Sequence, residues 1–328
     1  MLRKLLTGIL AALAFWFALF ALYPLHLPAP VFAYDLRSGS TLRSVAHDLS
    51  ARQLLWEPWT FTMVGRLLGR QTHIKAGSYE WDEPLSALEL LNKITRGDSV
   101  QNEAKLIEGM TFAQFRASLD ANQALSHLTP GLSEGDILKL LGSQAHSAEG
   151  LFFPDTYFFN KGDSDLALMK RAYGSMRRKL DAVWQHRAAG LPYKDEYQAL
   201  TMASIIEKET AKPDERPLVA AVFINRLHLG MKLQTDPTVI YGMGDRYEGN
   251  IHKRDLLKDT PYNTYTREGL PPSPIAMPGL ASLEAAVHPA DSNALYFVAR
   301  GDGSHAFSDN LNEHNQAVYK YQIKHRTP

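Results

Sequence analysis

Glu207 and Glu209 stand near the end of a predicted helix, Ala199 to Thr210, that reads ALTMASIIEKET. Met202, Ile205, Ile206 and Glu209 recur at the i, i+3, i+4, i+7 spacing of one helical face. Glu209 therefore ends an apolar stripe at the open end of the helix. Burial raises a carboxyl pKa, and the negative end of a helix dipole disfavours further negative charge. Both effects keep the group protonated near neutral pH, as a general acid requires. Glu207 lies about 200° round the helix, above Leu200 and Ala203, and is a second candidate. The plain alternative is that either glutamate is solvated or paired with Lys208 or Lys212.

Two further stretches carry polar groups suited to a groove. Leu233 to Thr238 (LQTDPT) contains Asp236 before a proline, ordinarily a turn or a helix cap. Pro261 to Tyr265 and Gly269 to Ile275 are rich in amide, hydroxyl and proline, which fix polar groups without helix or sheet. Such loops serve equally as plain structural connections. Upstream, Glu149 to Phe159 (EGLFFPDTYFF) is densely aromatic. Phe152 and Phe153 read as core, whereas Tyr157 fits either core or a platform on which a pyranose ring stacks.

Other chemistries are excluded by what the chain lacks. It has no cysteine, so disulfides, thiolate nucleophiles and Cys-built zinc sites are ruled out. No GxSxG, HExxH, GxxxxGK[ST] or helix-opening GxGxxG is found. His252, His288, His305 and His314 are scattered without metal-ligand spacing and read as structural or surface residues. Thirty-five Lys and Arg balance 35 Asp and Glu, which argues against a nucleic-acid partner held by bulk charge.

These groups need elements to hold them, and 328 residues suffice for roughly two domains. Leu5 to Tyr23 contains no charged residue and follows Arg3 and Lys4. As a helix it rises about 28 Å, close to the hydrocarbon core of a bilayer, with the N-terminus inside. A cleaved signal ending near Val31-Phe32-Ala33 is the rival, disfavoured by the length of the run and by Pro28 and Pro30. Residues 1–33 thus form tip, membrane helix and stiff connector. Residues 34–100 form a compact unit. Its helices run from Thr41 to Leu49, Pro58 to Leu68 and Ser86 to Arg96, with Leu88, Leu91 and Ile94 inward and a strand over Lys75 to Trp81. Residues 101–328 open with a strand over Leu106 to Thr111 and a helix from Phe112. Further helices run from Leu166 to Trp184 and from Glu215 to Leu229, the latter with Val219, Val222, Phe223 and Leu227 inward. The fold class is α+β, with short strands in small sheets and helices packed on them.

ALTMASIIEKET, VFINRL, MKLQTDPTVIYG, YNTY, GLPPSPIAMPG and HPADSNALYFVA, in this order, resemble the endolytic murein transglycosylase (YceG-like) family. Ser273 departs from the glycine expected in the GLPP loop. The resemblance implies an inner-membrane protein with a LysM-like module over 34–100 and a periplasmic catalytic domain over 101–328. Glu209, the second glutamate of EKE, maps to the family's catalytic acid, and Gln234, Asp236, Asn263 and Tyr265 fall in its cleft motifs. The implied substrate is the peptidoglycan glycan strand, cut between N-acetylmuramic acid and N-acetylglucosamine to leave 1,6-anhydromuramic ends. One carboxyl serves both steps because the muramic acid C6 hydroxyl is the nucleophile. A hydrolase would need a second carboxylate, for which Asp155 or Asp236 is available. No metal or cofactor is implied. The expected role is to limit strand length, with peptidoglycan synthases of the elongation machinery as partners. A non-catalytic glycan-binding scaffold is the alternative from another class.

Overall fold

The structure, a computed structural model, describes residues 2–37, 39–100 and 102–323. Residues 101 and 324–328 of the expected C-terminal region lie outside the described set. The chain divides into two compact units. One gathers residues up to Glu103 with Ala124–Ser126 and Phe158–Asp163, and the other holds the remainder.

In the first unit, α1 (Leu2–Leu22) is long and apolar enough to cross a membrane, and is the one such helix among the described residues. Strand β1 (Phe32–Leu36) pairs antiparallel with β2 (Gly77–Trp81), Phe32 opposite Trp81 and Leu36 opposite Gly77. Alternation puts Phe32, Tyr34, Leu36, Tyr79 and Trp81 on the covered face. Helices α2 (Leu42–Ala51), α3 (Pro58–Leu67) and α4 (Ala87–Arg96) complete the unit. Thr41 and Ser86 each accept from the backbone N–H three residues on, while Ser44 and Glu89 return the bond, so two capping boxes fix where α2 and α4 begin. Gly97 ends α4 at φ 82°, a conformation that costs a residue with a Cβ. The inward face of α4 is Ala87, Leu90, Leu91 and Ile94. Leu88, expected inward, is only half covered because Leu90 takes its place.

Strand β3 (Asn102–Leu106) leads into the second unit and pairs with β4 (Asp155–Phe159). The strand expected over Leu106–Thr111 stops at Leu106. Gly109 takes φ 78° and the Met110 N–H bonds the Ile107 carbonyl at 3.2 Å, turning the chain into α5 (Phe112–Asp120). Helices α6 (Glu134–Leu141) and α7 (Asp165–Gln185) follow. The centre of the unit is α8 (Glu196–Glu209), capped by Asp195, whose carboxylate accepts from Gln198 N–H at 2.9 Å. It is covered all round from Ala199 to Ile206 rather than along one stripe. Ala199, Ala203 and Ser204 leave room for close neighbours there, and the Ser204 hydroxyl accepts from Ile275 N–H at 3.0 Å, fastening the proline-rich loop to α8.

After α8 come α9 (Arg216–His228), α10 (Asp236–Met243), the short α11 (Lys253–Leu257) and α12 (Leu280–Val287), which packs on α8. Strands β5 (Tyr296–Ala299) and β6 (His305–Ser308) form an antiparallel ribbon, Tyr296 opposite Ser308, and α13 (Leu311–Val318) packs against it. On α9 the buried face includes Arg226, whereas Leu227, expected inward, is half exposed. The arginine faces inward because main-chain carbonyls satisfy its donors, as described next.

Candidate active site

Glu209 is the last residue of α8, where Thr210 leaves the helix in an extended conformation and Pro213 soon prevents its resumption. Its carboxyl borders a cavity of about 510 Å³. The wall facing it carries Arg226, Gln234, Asp236, Tyr265, Tyr296 and His305. The Thr235 hydroxyl donates a hydrogen bond to Glu209 Oε1. Part of Glu209 meets the cavity, yet the carboxyl is enclosed by protein, and burial pushes its pKa from 4.5 up to about 7. Smaller influences divide: the Thr235 hydrogen bond, His305 and Arg226 pull it down, and the Asp236 charge pushes it up.

Two loops hold the polar side of the cavity. Gln234 N–H donates to the Thr264 carbonyl at 3.1 Å, and Thr235 N–H to the Thr264 hydroxyl at 3.1 Å. These bonds set Thr235 beside Glu209. Gln234 adopts φ 52°, a left-handed conformation unusual for a residue with a Cβ, and the strain is carried at the cavity wall. Asp236 is the first residue of α10, not its cap, and Tyr265 donates its phenolic proton to Asp236 Oδ1 at 2.5 Å. Burial, and then the neighbouring Asp236 carboxylate, raise the Tyr265 pKa, so the phenol stays a donor.

On the other side Arg226 donates from Nε to the Leu295 carbonyl at 2.7 Å and from a terminal nitrogen to the Leu233 carbonyl at 2.8 Å. Its guanidinium carbon sits 5.0 Å from the Tyr296 ring centroid. His305 pairs through Nδ1 with Glu215 at 2.7 Å. His305 and His314, read from the sequence as structural or surface residues, both line the cavity.

The remaining candidates lie elsewhere. Asn263 is buried and does not line the cavity. Its amide nitrogen donates to the carbonyls of Asp255, Leu256 and Lys258, and its oxygen accepts from Tyr265 N–H at 2.8 Å. It therefore shapes the loop that presents Tyr265, with no atom left for a ligand. Tyr157 is buried too, and its hydroxyl donates to the Phe153 carbonyl at 2.6 Å, so the ring is core rather than a stacking platform. Asp155 begins β4 and is exposed, away from the cavity lining. Glu207, the second helix candidate, accepts from Arg216 at 3.2 Å, Gly279 N–H at 2.9 Å and the Ser282 hydroxyl at 2.8 Å. Those bonds bind α8 to α9 and α12 and leave no free carboxyl.

An enclosed carboxyl, raised by burial to about 7 at the edge of a polar cavity, has the setting that a general acid–base group requires, here on an α+β scaffold. The chain belongs to the YceG-like family, whose model matches residues 34–320. The endolytic murein transglycosylase of Bacillus subtilis strain 168 is 29% identical over 309 residues, covering 88% of this chain and 84% of its own length. That of Streptococcus pneumoniae strain D39 is 26% identical, covering 86% of this chain but 57% of its own length. A crystal structure of a YceG-like protein from Listeria monocytogenes, 28% identical, matches with a TM-score of 0.54 over 88% of this chain and 98% of that one.

The opposed influences of Asp236 and Thr235 on Glu209 give a signed test. Asp236→Asn removes a charge that raises the Glu209 pKa, so the alkaline limb of any Glu209-dependent activity shifts to lower pH. Thr235→Val removes a bond that lowers it, so the limb shifts to higher pH. Profiles of kcat/KM against pH for the two variants read both shifts, and equal or reversed displacements would show that Glu209 is not the titrating group.

Proposed function

We propose that this protein is a lytic transglycosylase that cuts peptidoglycan strands internally, with Glu209 as both acid and base. The observation that carries the reading is the enclosed Glu209 carboxyl, which burial raises to about 7, at a cavity lined by Gln234, Asp236 and Tyr265, all within the stretch that the family model matches. The protonated acid gives its proton to the glycosidic oxygen between N-acetylmuramic acid and N-acetylglucosamine, and the bond from C1 to that oxygen breaks. The muramic C6 hydroxyl attacks C1 and returns its proton to the Glu209 carboxylate. A 1,6-anhydro end forms, and the enzyme is regenerated without water entering. Gln234, Asp236 and Tyr265 bind the sugar hydroxyls and amides, and Asn263 acts at one remove by holding their loop.

The same reading takes α1 as a single-pass anchor in the inner membrane and places the rest of the chain in the periplasm. It takes residues 34–100 as a LysM-like glycan-gripping module. Limiting strand length beside peptidoglycan synthases is the role that fits, because an internal cut near the membrane acts on strands being made. Purified peptidoglycan incubated with the full-length protein in detergent tests the chemistry. Mass spectrometry should find internal fragments with 1,6-anhydromuramic ends, absent with Glu209→Gln. Reducing ends in their place would establish hydrolysis, with Asp236 as the cavity carboxylate to examine next. No cleavage at all would favour a glycan-binding scaffold.

A further inference from the structure

We propose that His305 is a glycan-binding residue, its neutral ring accepting at Nε2 from a sugar hydroxyl or acetamido N–H in the cavity beside Glu209, with Glu215 fixing the tautomer this requires. The proposal rests on the reading of the cavity as a peptidoglycan site. His305 opens β6 just after Gly301 and Gly303, where the Arg300 N–H donates to the Ser304 carbonyl at 2.8 Å. Glu215 closes the short turn of helix between α8 and α9. It holds His305 twice. Its Oε1 accepts from the His305 backbone N–H at 3.0 Å, and its Oε2 lies 2.7 Å from Nδ1. Burial opposes the Glu215 charge, but the His305 bonds prevail and keep that carboxyl below its ordinary pKa. A carboxylate has no hydrogen to give, so Nδ1 carries the proton.

The protonated ring is the form whose charge lowers the Glu209 pKa. The neutral ring has its lone pair at Nε2. That ring is fixed in orientation, meeting Phe297 edge-on with centroids 5.4 Å apart and Phe307 at 6.4 Å. Its Nε2 has no hydrogen-bond partner among the described residues, although the residue lines the cavity that holds Glu209. Fastening β6 to the start of α9 needs only the backbone bond to Glu215. The ring bond adds something a fastening does not require, a set tautomer. The rest of the wall indicates what such an acceptor meets. Arg226 spends donors on the carbonyls of Lys232, Leu233 and Leu295, and Tyr265 gives its proton to Asp236. Acceptors therefore dominate the cavity: the carboxyls of Glu209 and Asp236, and Nε2 of His305. They suit a ligand that brings O–H and N–H donors, as N-acetylated sugars do, and not an anion.

Two substitutions separate binding from fastening. Asparagine places its amide nitrogen near the site of Nδ1, so H305N keeps the bond to Glu215 and removes Nε2. In E215Q one carboxylate oxygen becomes an NH2, and the side chain can no longer accept from both N–H groups of His305. The ring adjusts by moving its proton to Nε2, which reverses the polarity offered to the glycan. Full-length protein in detergent, carrying Glu209→Gln to prevent cleavage, is titrated at pH 8 with a purified N-acetylglucosamine–N-acetylmuramic acid tetrasaccharide by calorimetry. Adding either H305N or E215Q should weaken binding by about tenfold, the loss of roughly one hydrogen bond. Long-range proton–nitrogen NMR spectra of histidine-labelled protein at the same pH, with H305N identifying the signal, should show the proton on Nδ1 alone in the parent and on Nε2 in E215Q. Unchanged affinity with H305N overturns the proposal. The transglycosylase reading is judged separately, by the anhydro ends the parent makes, and would stand. A proton on Nε2 in the parent overturns the assigned acceptor. No binding by the Glu209→Gln protein overturns the cavity as a glycan site, and the proposal falls with it.

Discussion

Replacing Glu209 by Gln should lower turnover by roughly 10²–10⁴-fold, the usual loss when a positioned proton donor is removed, while leaving the fold intact. The amide keeps the shape and can still accept from Thr235. The stability signature separates this from simple disruption. Burial raises the Glu209 pKa from 4.5 to about 7, so the native state holds the proton more tightly than the unfolded chain. The stability linked to that proton is fully present below pH 4.5 and is lost as pH rises through 7. The loss is at most about 3 kcal/mol, and less because the cavity admits water. Glu209→Gln removes the ionisation, so its unfolding free energy should fall less than that of the parent between pH 5 and pH 8. Urea unfolding at both pH values, beside product assays, reads the two effects. A variant both inactive and less stable than the parent at pH 8 would place Glu209 among structural residues.

Two positions earlier, Glu207→Ala should cost about 3–5 kcal/mol of stability, the range for removing one partner of a buried ion pair. The Arg216 and Glu207 side chains are only 9% and 6% exposed. Arg216 also pairs with Glu108 at 3.9 Å, but that carboxylate is half exposed, so its longer, solvent-screened pair offsets only part of the lost partner. Gly279 N–H and the Ser282 hydroxyl lose an acceptor as well. Exchanging both partners for apolar residues, as in E207L with R216M, should recover part of the loss because no charge is then left buried. Chemical unfolding of the single and double variants measures this directly. Activity per folded molecule should change little with Glu207 and collapse with Glu209, which assigns the two glutamates opposite duties.

What the sequence made legible is mostly local. An uncharged run, Thr41 and Ser86 at cap positions, Gly97 at a helix end and proline after α8 act within a few residues of themselves. Helical spacing was less informative in α8, because Ala, Ser and Thr give no sign of which side is buried. The tertiary neighbours cover every side from Ala199 to Ile206. Periodicity also favoured Leu227 over Arg226 on α9, since it cannot count carbonyls contributed by Leu233 and Leu295. The site divides along the same line. Gln234, Asp236 and Tyr265 share the cavity with Glu209. Asn263 and Tyr157 turn their polar atoms to backbone carbonyls. Residue type alone does not separate an amide that binds sugar from one that shapes a loop. Thr235 reaches the Glu209 carboxyl, and His305 the cavity, from chain segments far from Glu209 in sequence, and no spacing rule links them to it.

The carbonyls around Arg226 have a consequence for the charged half of the proposed reaction cycle. After Glu209 has given up its proton, a full negative charge stands in an enclosed setting until the C6 hydroxyl returns it. Arg226, an always-charged group held by the carbonyls of Lys232, Leu233 and Leu295, is one of the influences that ease that charge. Because its donors are already engaged, it need not swing, shed water or recruit a counter-ion when the charge appears. The environment is oriented before the event, so little reorganisation energy is spent during it. A lysine offers one point charge and cannot span the three carbonyls with the same planar fork, so it would have to be repositioned at the moment the carboxylate forms.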